Sequence, residues 1–384
     1  MQDLHRKAEE LAERLNLFRK ELRKPFVGRE EEADVLTLAL MVAENVILIG
    51  EPGTAKSALA RRAADLLNAR FFKYLLTKFT EPDELFGPLD INALKEGKYV
   101  RITRNKLPEA EIVFIDEIFN ASSAVLNMFL TLMNERIIYD GYNEIKVPLW
   151  TLISASNNVP DEPEYQAIYD RFLIRHFVKP VGEDKWGELV DAVWRIEKGV
   201  YQAAKPVLSL EELKVINSLI FEVDLSSVKQ KLLKLYAIME DQGVHLTDRR
   251  KGKALKLIAA QAFLNNRLKA IEEDLMVLKY VAPRDRDELD KVYAILIEEI
   301  EAREKRLREL EEIEENIKEV KAYLLSTTEL DPRLLEYLKG LEIARDKIRK
   351  MVKELSDDIV RNRAINVLTE IEHIIELIKR KLIL

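Results

Sequence analysis

Two short stretches of the chain carry residue types suited to phosphate chemistry. The first, Gly50-Glu51-Pro52-Gly53-Thr54-Ala55-Lys56-Ser57, follows the apolar run Val46-Ile47-Leu48-Ile49 and leads into a helix-forming segment from Ala58. A loop of this composition turns backbone N–H groups inward on phosphate oxygens, and the helix N-terminus behind it adds partial positive charge. Lys56 is spaced to neutralise β/γ oxygens, and the Ser57 hydroxyl to take one Mg²⁺ position. Gly50 and Gly53 give the backbone freedom that the wrap requires. Ala55 stands where a third glycine is usual, and its methyl group is expected to demand a negative φ. An ordinary strand–turn–helix with a chance lysine is the competing reading of this stretch taken alone.

The second stretch is Glu111-Ile112-Val113-Phe114-Ile115-Asp116-Glu117. Four apolar residues make a buried strand, and the two acids fall at its carboxyl end, where open parallel sheets bind ligands. Asp116 suits Mg²⁺, and Glu117 suits the orientation and deprotonation of an attacking water. A solvated strand end is the alternative, but adjacent acids there are uncommon because an unpaired buried charge is costly. Trp150 to Asn158 reads as a further buried strand, and Asn157 at its polar end suits the hydrolytic water or a γ-phosphate. Tyr169-Asp170-Arg171 follows. An arginine near a sheet edge can reach a neighbour's nucleotide and stabilise transition-state charge, an effect of about 10³ to 10⁵ in rate, unless Asp170 satisfies it within the chain.

These residues need elements to hold them. Leu4, Leu11, Leu15, Leu17, Phe18 and Leu22 predict an N-terminal helix ending before Pro25. Helices over Glu31 to Glu44 and Ala58 to Asn68 alternate with the apolar strands and a strand over Phe71 to Leu76, which predicts a parallel sheet covered on both faces. The segment from Phe79 to Ala110, with strand-like pieces around Gly97, interrupts that rhythm and reads as a hairpin insertion. Ala124 to Arg136 is an amphipathic helix, and Ile137 to Val147 a hairpin turning near Asp140-Gly141. From Lys185 to Met276 strand signals vanish. Helices over Leu208 to Glu222, Leu225 to Gln242 and Arg249 to Lys269 predict a small all-α lid closing over the nucleotide; Lys251, Lys253 and Lys256 form a basic cluster that could touch nucleic acid, with the phosphates of the bound nucleotide the simpler target. After Pro283-Arg284-Asp285-Arg286, near-heptad apolar residues from Leu289 to Leu324, a second helix opened by Asp331-Pro332 and containing Leu334 to Leu355, and a third from Ile365 to Leu382 predict a three-helix, coiled-coil-like tail. The expected domains are 1–184, 185–282 and 283–384.

Composition narrows the function classes. A chain of 384 residues suits two or three domains. Its net charge of −7 argues against a general binder of nucleic acid or anionic membrane. With no cysteine, thiol catalysis and thiolate metal sites are excluded, and the 4 histidines show no ligand spacing. Met1 to Lys24 lacks the apolar core of a signal peptide and no later run is long enough to span a bilayer, so a cytoplasmic protein is expected.

The order Val27-Gly28, phosphate loop, Asp116-Glu117, Asn157, Arg171 resembles the AAA+ superfamily. The Ala before Lys in the loop, Phe86-Gly87-Pro88, Leu107-Pro108-Glu109-Ala110, Asn134-Glu135-Arg136 and Tyr169-Asp170-Arg171 resemble its MoxR group, with RavA as the most similar subfamily. The resemblance runs from about Lys24 to Ala282. It implies ATP and Mg²⁺ as cofactors, backbone at Val27 and Gly28 against the adenine, Asn157 as γ-phosphate sensor and Arg171 acting in trans in a homo-hexameric ring with two hairpin insertions. It also implies a lid helix beginning within Asp241 to Arg250 whose sensor 2 arginine is Arg249, with Arg250 the second choice. Members of this group are chaperone-like remodellers or activators of protein partners, often with a von Willebrand factor A-type partner, and no such domain is visible in this chain. RavA carries a small β-rich domain in its helical tail; no β-like insertion is visible between Leu289 and Leu384, so that subfamily's partner is not carried over. A nucleotide-gated assembly scaffold with slow hydrolysis is the alternative. A DNA translocase of the same clade is disfavoured by the acidic balance.

Overall fold

The computed structural model describes residues 2–140, 143–160, 162–198, 204–326, 331, 333–354 and 358–383. Contacts divide the chain into two units, Met1–Ala294 and Ile295–Leu384. In the first, α1 (Gln2–Arg23) and α2 (Glu30–Val42) lead to β1 (Val46–Ile49), α3 (Lys56–Leu66) and β2 (Phe71–Leu75). The short helices α4 (Pro82–Phe86) and α5 (Ile91–Lys95) precede β3 (Ile112–Asp116), α6 (Ser123–Glu135), the hairpin β4 (Ile137–Asp140) and β5 (Asn143–Lys146), β6 (Thr151–Ser156), α7 (Pro163–Tyr169) and β7 (Ile174–Phe177).

Five strands form one parallel sheet in the order β2-β3-β6-β1-β7. β1, β6 and β7 are buried at every residue; β1 is accordingly a continuous apolar run rather than an alternating one, while β6 and β7 also bury Thr151, Ser154, Arg175 and His176. β2 lies at one edge and is only partly covered, so it tolerates Lys73. Register decides what meets at the carboxyl ends. Ile49 pairs with Ser156, and Asp116 pairs with Ala155. Gly50, Glu117 and Asn157 therefore leave three adjacent strands at nearly one level.

The helices bury the stripes expected of them, with local differences. In α1, Leu11, Leu15, Phe18 and Leu22 are buried, whereas Leu17 is exposed and lies off the stripe. Arg19 and Arg23 pair with Asp34 of α2, and Arg62 of α3 donates to the Glu21 carbonyl at 2.8 Å. The insertion between residues 79 and 110 pairs its two arms only briefly, where the Asp90 N–H donates to the Val100 carbonyl and the Ile102 N–H to the Pro88 carbonyl, both at 2.8 Å. It contains one antiparallel bridge, Leu89 with Arg101, and α5 occupies its tip, because the Asp90 carboxylate accepts from the Asn92 and Ala93 N–H groups and nucleates a helical turn there. The β4–β5 ladder is antiparallel as expected, with Gly141 of the expected turn outside the described residues.

After β7 come α8 (Trp186–Glu197), α9 (Leu210–Ile220), α10 (Lys229–Asp241) and α11 (Asp248–Leu264), followed by 3₁₀ turns over Glu272–Tyr280. α12 (Arg286–Leu296) spans the junction of the two units. In the second unit, a π-helical turn over Ile297–Glu301 precedes α13 (Ala302–Ser326), α14 (Arg333–Glu354) and α15 (Asp358–Ile383). Leu310, Ile317, Leu334, Ile348, Ile371 and Ile378 meet in its core, so the stripes of the three helices pack on one another. Asp331 accepts from the Arg333 N–H at 2.9 Å at the start of α14; Pro332 and Leu355 lie outside the described residues. Among the described residues this unit has no strand.

Candidate nucleotide site

The loop after β1 has the shape of an anion cradle. Gly50 must be glycine because a Cβ there would lie 2.7 Å from the Val178 carbonyl oxygen, where the continuation of β7 closes on the loop. Gly53 has φ +81, and a Cβ there would meet nothing within 4 Å, so the loop crest is open on its outer side. Lys56 opens α3 and is buried, with its Nζ donating to the Gly50 and Glu51 carbonyls at 2.8 Å each. Ala55 corrects one expectation. It adopts φ +62, not a negative φ, because the residue before Lys56 must turn left-handed to bring the loop into the first turn of α3.

Asp116 ends β3, and Glu117 turns the chain off the strand with φ +53 while its N–H donates to the Ala155 carbonyl at 2.9 Å. Burial raises the Glu117 pKa, the Asp116 charge raises it further, and Lys56 opposes both. Burial lowers the Lys56 pKa, and Asp116 and Glu117 act against that shift. The three groups thus share one electrostatic site. Asn157 follows β6, which lies between the loop strand and the acid strand, and is exposed. On the other flank Gly28, with φ +67, packs its backbone on Val181, whose Cγ1 is 3.1 Å from where a Cβ would stand. Val27, Gly28, Gly50 to Ser57, Asp116, Glu117 and Asn157 therefore gather at one edge of the sheet.

The arginines do not join them. Arg171 precedes β7, at the amino-terminal edge of the sheet, and four residues of strand at about 3.3 Å each separate the two edges by roughly 13 Å. Asp170 faces Arg175 at 3.6 Å and Arg250 at 3.7 Å, so it does not neutralise Arg171. Among the described residues Arg171 has no carboxylate partner; its Nη1 donates to the Ala167 carbonyl at 3.0 Å. The lid helix α11 starts at this same edge. Arg249 is exposed and donates to Asn134 Oδ1 at 2.8 Å. Arg250 is 4% exposed and donates to the Phe172 and Leu173 carbonyls at 2.9 Å each and to Val281 at 3.0 Å.

Neither lid arginine lies at the cradle of its own chain. Arg250 is consumed by backbone carbonyls. The basic cluster is also redirected, since Lys253 and Lys256 both pair with Glu44, ahead of β1, at 2.6 and 3.2 Å.

A family model described as the MoxR domain in the MoxR-vWA-beta-propeller ternary systems matches residues 13–218, and a model of the AAA lid domain matches residues 223–296. The chain belongs to the MoxR family of AAA+ ATPases. Two uncharacterised proteins of Methanocaldococcus jannaschii, MJ0812 and MJ0079, are similar to this MoxR chain at 39% and 37% identity, over 72% and 73% of it and 74% and 73% of themselves. Chaperone MoxR1 of Mycobacterium tuberculosis is 25% identical over 40% of the chain and 41% of its own length. The crystal structure of a Cytophaga hutchinsonii protein, described as a candidate ATPase, has a TM-score of 0.65 at 17% identity, over 77% of this chain and 97% of that one, which establishes likeness of fold.

The donor set of this MoxR chain fits Mg²⁺–ATP. Ser57 and Asp116 offer too few oxygens for a resident ion but suit Mg²⁺, which keeps waters and arrives with phosphate oxygens. Two residues that shape the site escape a reading of the sequence: Val178 and Val181, which close the cradle from the continuation of β7. Arg136 is half-buried and donates to Asn45 Oδ1 at 3.1 Å and to the Ala43 and Trp150 carbonyls at 3.2 and 3.3 Å, which ties the starts of β1 and β6 together at the far edge of the sheet.

Proposed function

We propose that this chain hydrolyses ATP as one subunit of a cytoplasmic homo-hexameric MoxR ring, remodelling or activating protein partners with a von Willebrand factor A-type partner. One observation carries the reading: the phosphate loop with its acids lies at one edge of the sheet, and the unneutralised Arg171 and exposed Arg249 lie at the other. Neither arginine reaches the cradle of its own chain, which supports a site completed by a second copy. Val27 and Gly28 would flank the adenine, and Gly50 to Ala58 would cradle the phosphates. Ser57 and Asp116 would hold Mg²⁺, which when bound offsets charge on the β/γ oxygens. Glu117 takes the proton of the attacking water, a role its raised pKa suits. Asn157 orients that water, and Arg171, with Arg249, meets the developing charge from the adjacent subunit.

The MoxR-vWA-beta-propeller description of the matching family model supports the partner class. The RavA-like assignment rests on the shared loop motifs, and the tail, with no strand among its described residues, differs from that subfamily. The test is ATPase activity against protein concentration, with parent and Arg171→Ala side by side and oligomer mass recorded throughout. Specific activity that rises with assembly and collapses in an Arg171→Ala protein that still assembles is the expected result. Activity independent of both concentration and the substitution would refute the shared site.

A further inference from the structure

α8 is a helix of 12 residues, none of them buried. Its apolar residues recur at helical spacing, and Trp186, Val190, Val193 and Trp194 are 53, 67, 49 and 60% exposed. A helix this short is marginal in water unless its apolar face is packed, and tryptophan is enriched at protein interfaces. The location of α8 indicates what covers it. The Trp186 indole N–H donates to the Val181 carbonyl at 3.0 Å, and Val181 is the residue packed on Gly28. Lys185 pairs with Glu30 at 3.1 Å at the same corner. The exposed stripe thus starts on the rim of the nucleotide cradle.

Charge selects the occupant. Glu183, Asp184, Glu188, Asp191 and Glu197 outnumber the basic residues of this segment, which disfavours an anionic lipid surface. The opposite edge of the same unit presents Arg171 and Arg249, neither with a carboxylate partner among the described residues. We infer that α8 is the contact by which one copy of this chain holds the next. Its apolar stripe packs on the edge of a second copy that bears Arg171 and Arg249, and so delivers that copy's Arg171 to the cradle. Such a contact is heterologous, one face against a different face, and repeats around a ring. The inference rests on the shared-site reading above and adds to it the element that holds the site together.

The sequence provides clean probes, since it has no cysteine and 3 tryptophans, two of them on this stripe. In full-length Val193→Cys, maleimide labelling should slow at least tenfold when ATP and high protein concentration assemble the chain, and tryptophan emission should shift to the blue. Val190→Glu should bind a fluorescent ATP analogue at parent affinity, which reports folding, yet stay monomeric where the parent assembles. Assembly with Val193→Cys labelled at the monomer rate, or assembly of Val190→Glu at parent concentrations, would overturn the role of α8 while leaving the shared site intact. Protection of Val193→Cys already in the monomer would put the cover within the chain and overturn it as well. Should Arg171→Ala hydrolyse like the parent at every concentration, the shared site itself would fail.

Discussion

The two adjacent arginines of the lid helix should separate cleanly into one that stabilises and one that serves hydrolysis. Arg250 donates to three buried carbonyls, those of Phe172, Leu173 and Val281. Truncation in Arg250→Ala would orphan all three, at about 1–3 kcal/mol each, with water in the vacated space recovering part of the loss. A net destabilisation of roughly 3–5 kcal/mol follows, the range seen on breaking a buried charged contact. At about 2 °C per kcal/mol for a unit of this length, the melting temperature should fall by about 6–10 °C. Arg249 makes one exposed bond, to Asn134, so Arg249→Ala should change stability by less than about 0.5 kcal/mol and act on hydrolysis in the assembled state. The assay is thermal and urea unfolding followed by far-UV circular dichroism, paired with ATPase rates at saturating ATP. An Arg250→Ala protein that melts within 2 °C or so of the parent but does not hydrolyse ATP would refute the argument and exchange the two roles.

Further predictions concern the cradle and its support. Ala55→Gly should leave nucleotide binding intact and raise stability by up to about 1 kcal/mol in urea unfolding, because relief of a left-handed alanine exceeds the added glycine entropy; a loss of that size would contradict the positive φ. Glu117→Gln should keep ATP binding and lower the hydrolysis rate by about 10² or more. Because burial and Asp116 raise the Glu117 pKa, the stability of the nucleotide-free protein should depend on pH in the acid range. The linkage sign also follows. The folded state binds this proton more tightly than the unfolded state, so parent stability declines as pH rises from the unfolded through the folded pKa, and Glu117→Gln should lack that decline in melts across the acid range. Glu44→Ala should cost about 1–2 kcal/mol by urea titration, since Lys253 and Lys256 are about one-third exposed and can turn to solvent.

The sequence by itself determined the chemistry and the layers. Val46-Ile47-Leu48-Ile49 before Gly50 to Ser57, and Ile112 to Ile115 before Asp116-Glu117, are local patterns, apolar runs long enough for one buried strand each. A parallel sheet leaves such runs with their ligand residues at one edge. The heptad stripes of the tail are local in the same way and specified three packed helices. What the tertiary structure decided is relative position. Only the strand order with β6 between β1 and β3 brings Asn157 between the loop and the acids. Only the return of the chain to the far edge of the sheet separates Arg171 and Arg249 from Lys56. Arg249 and Arg250 are indistinguishable by type and spacing, and burial against the carbonyls of 172, 173 and 281, up to 78 residues away in sequence, tells them apart. Glu44 likewise reads as the last polar residue of a helix until Lys253 and Lys256 are folded onto it from 209 and 212 residues away. Side-chain type fixes which reactions are available, and long-range packing fixes which groups share a site.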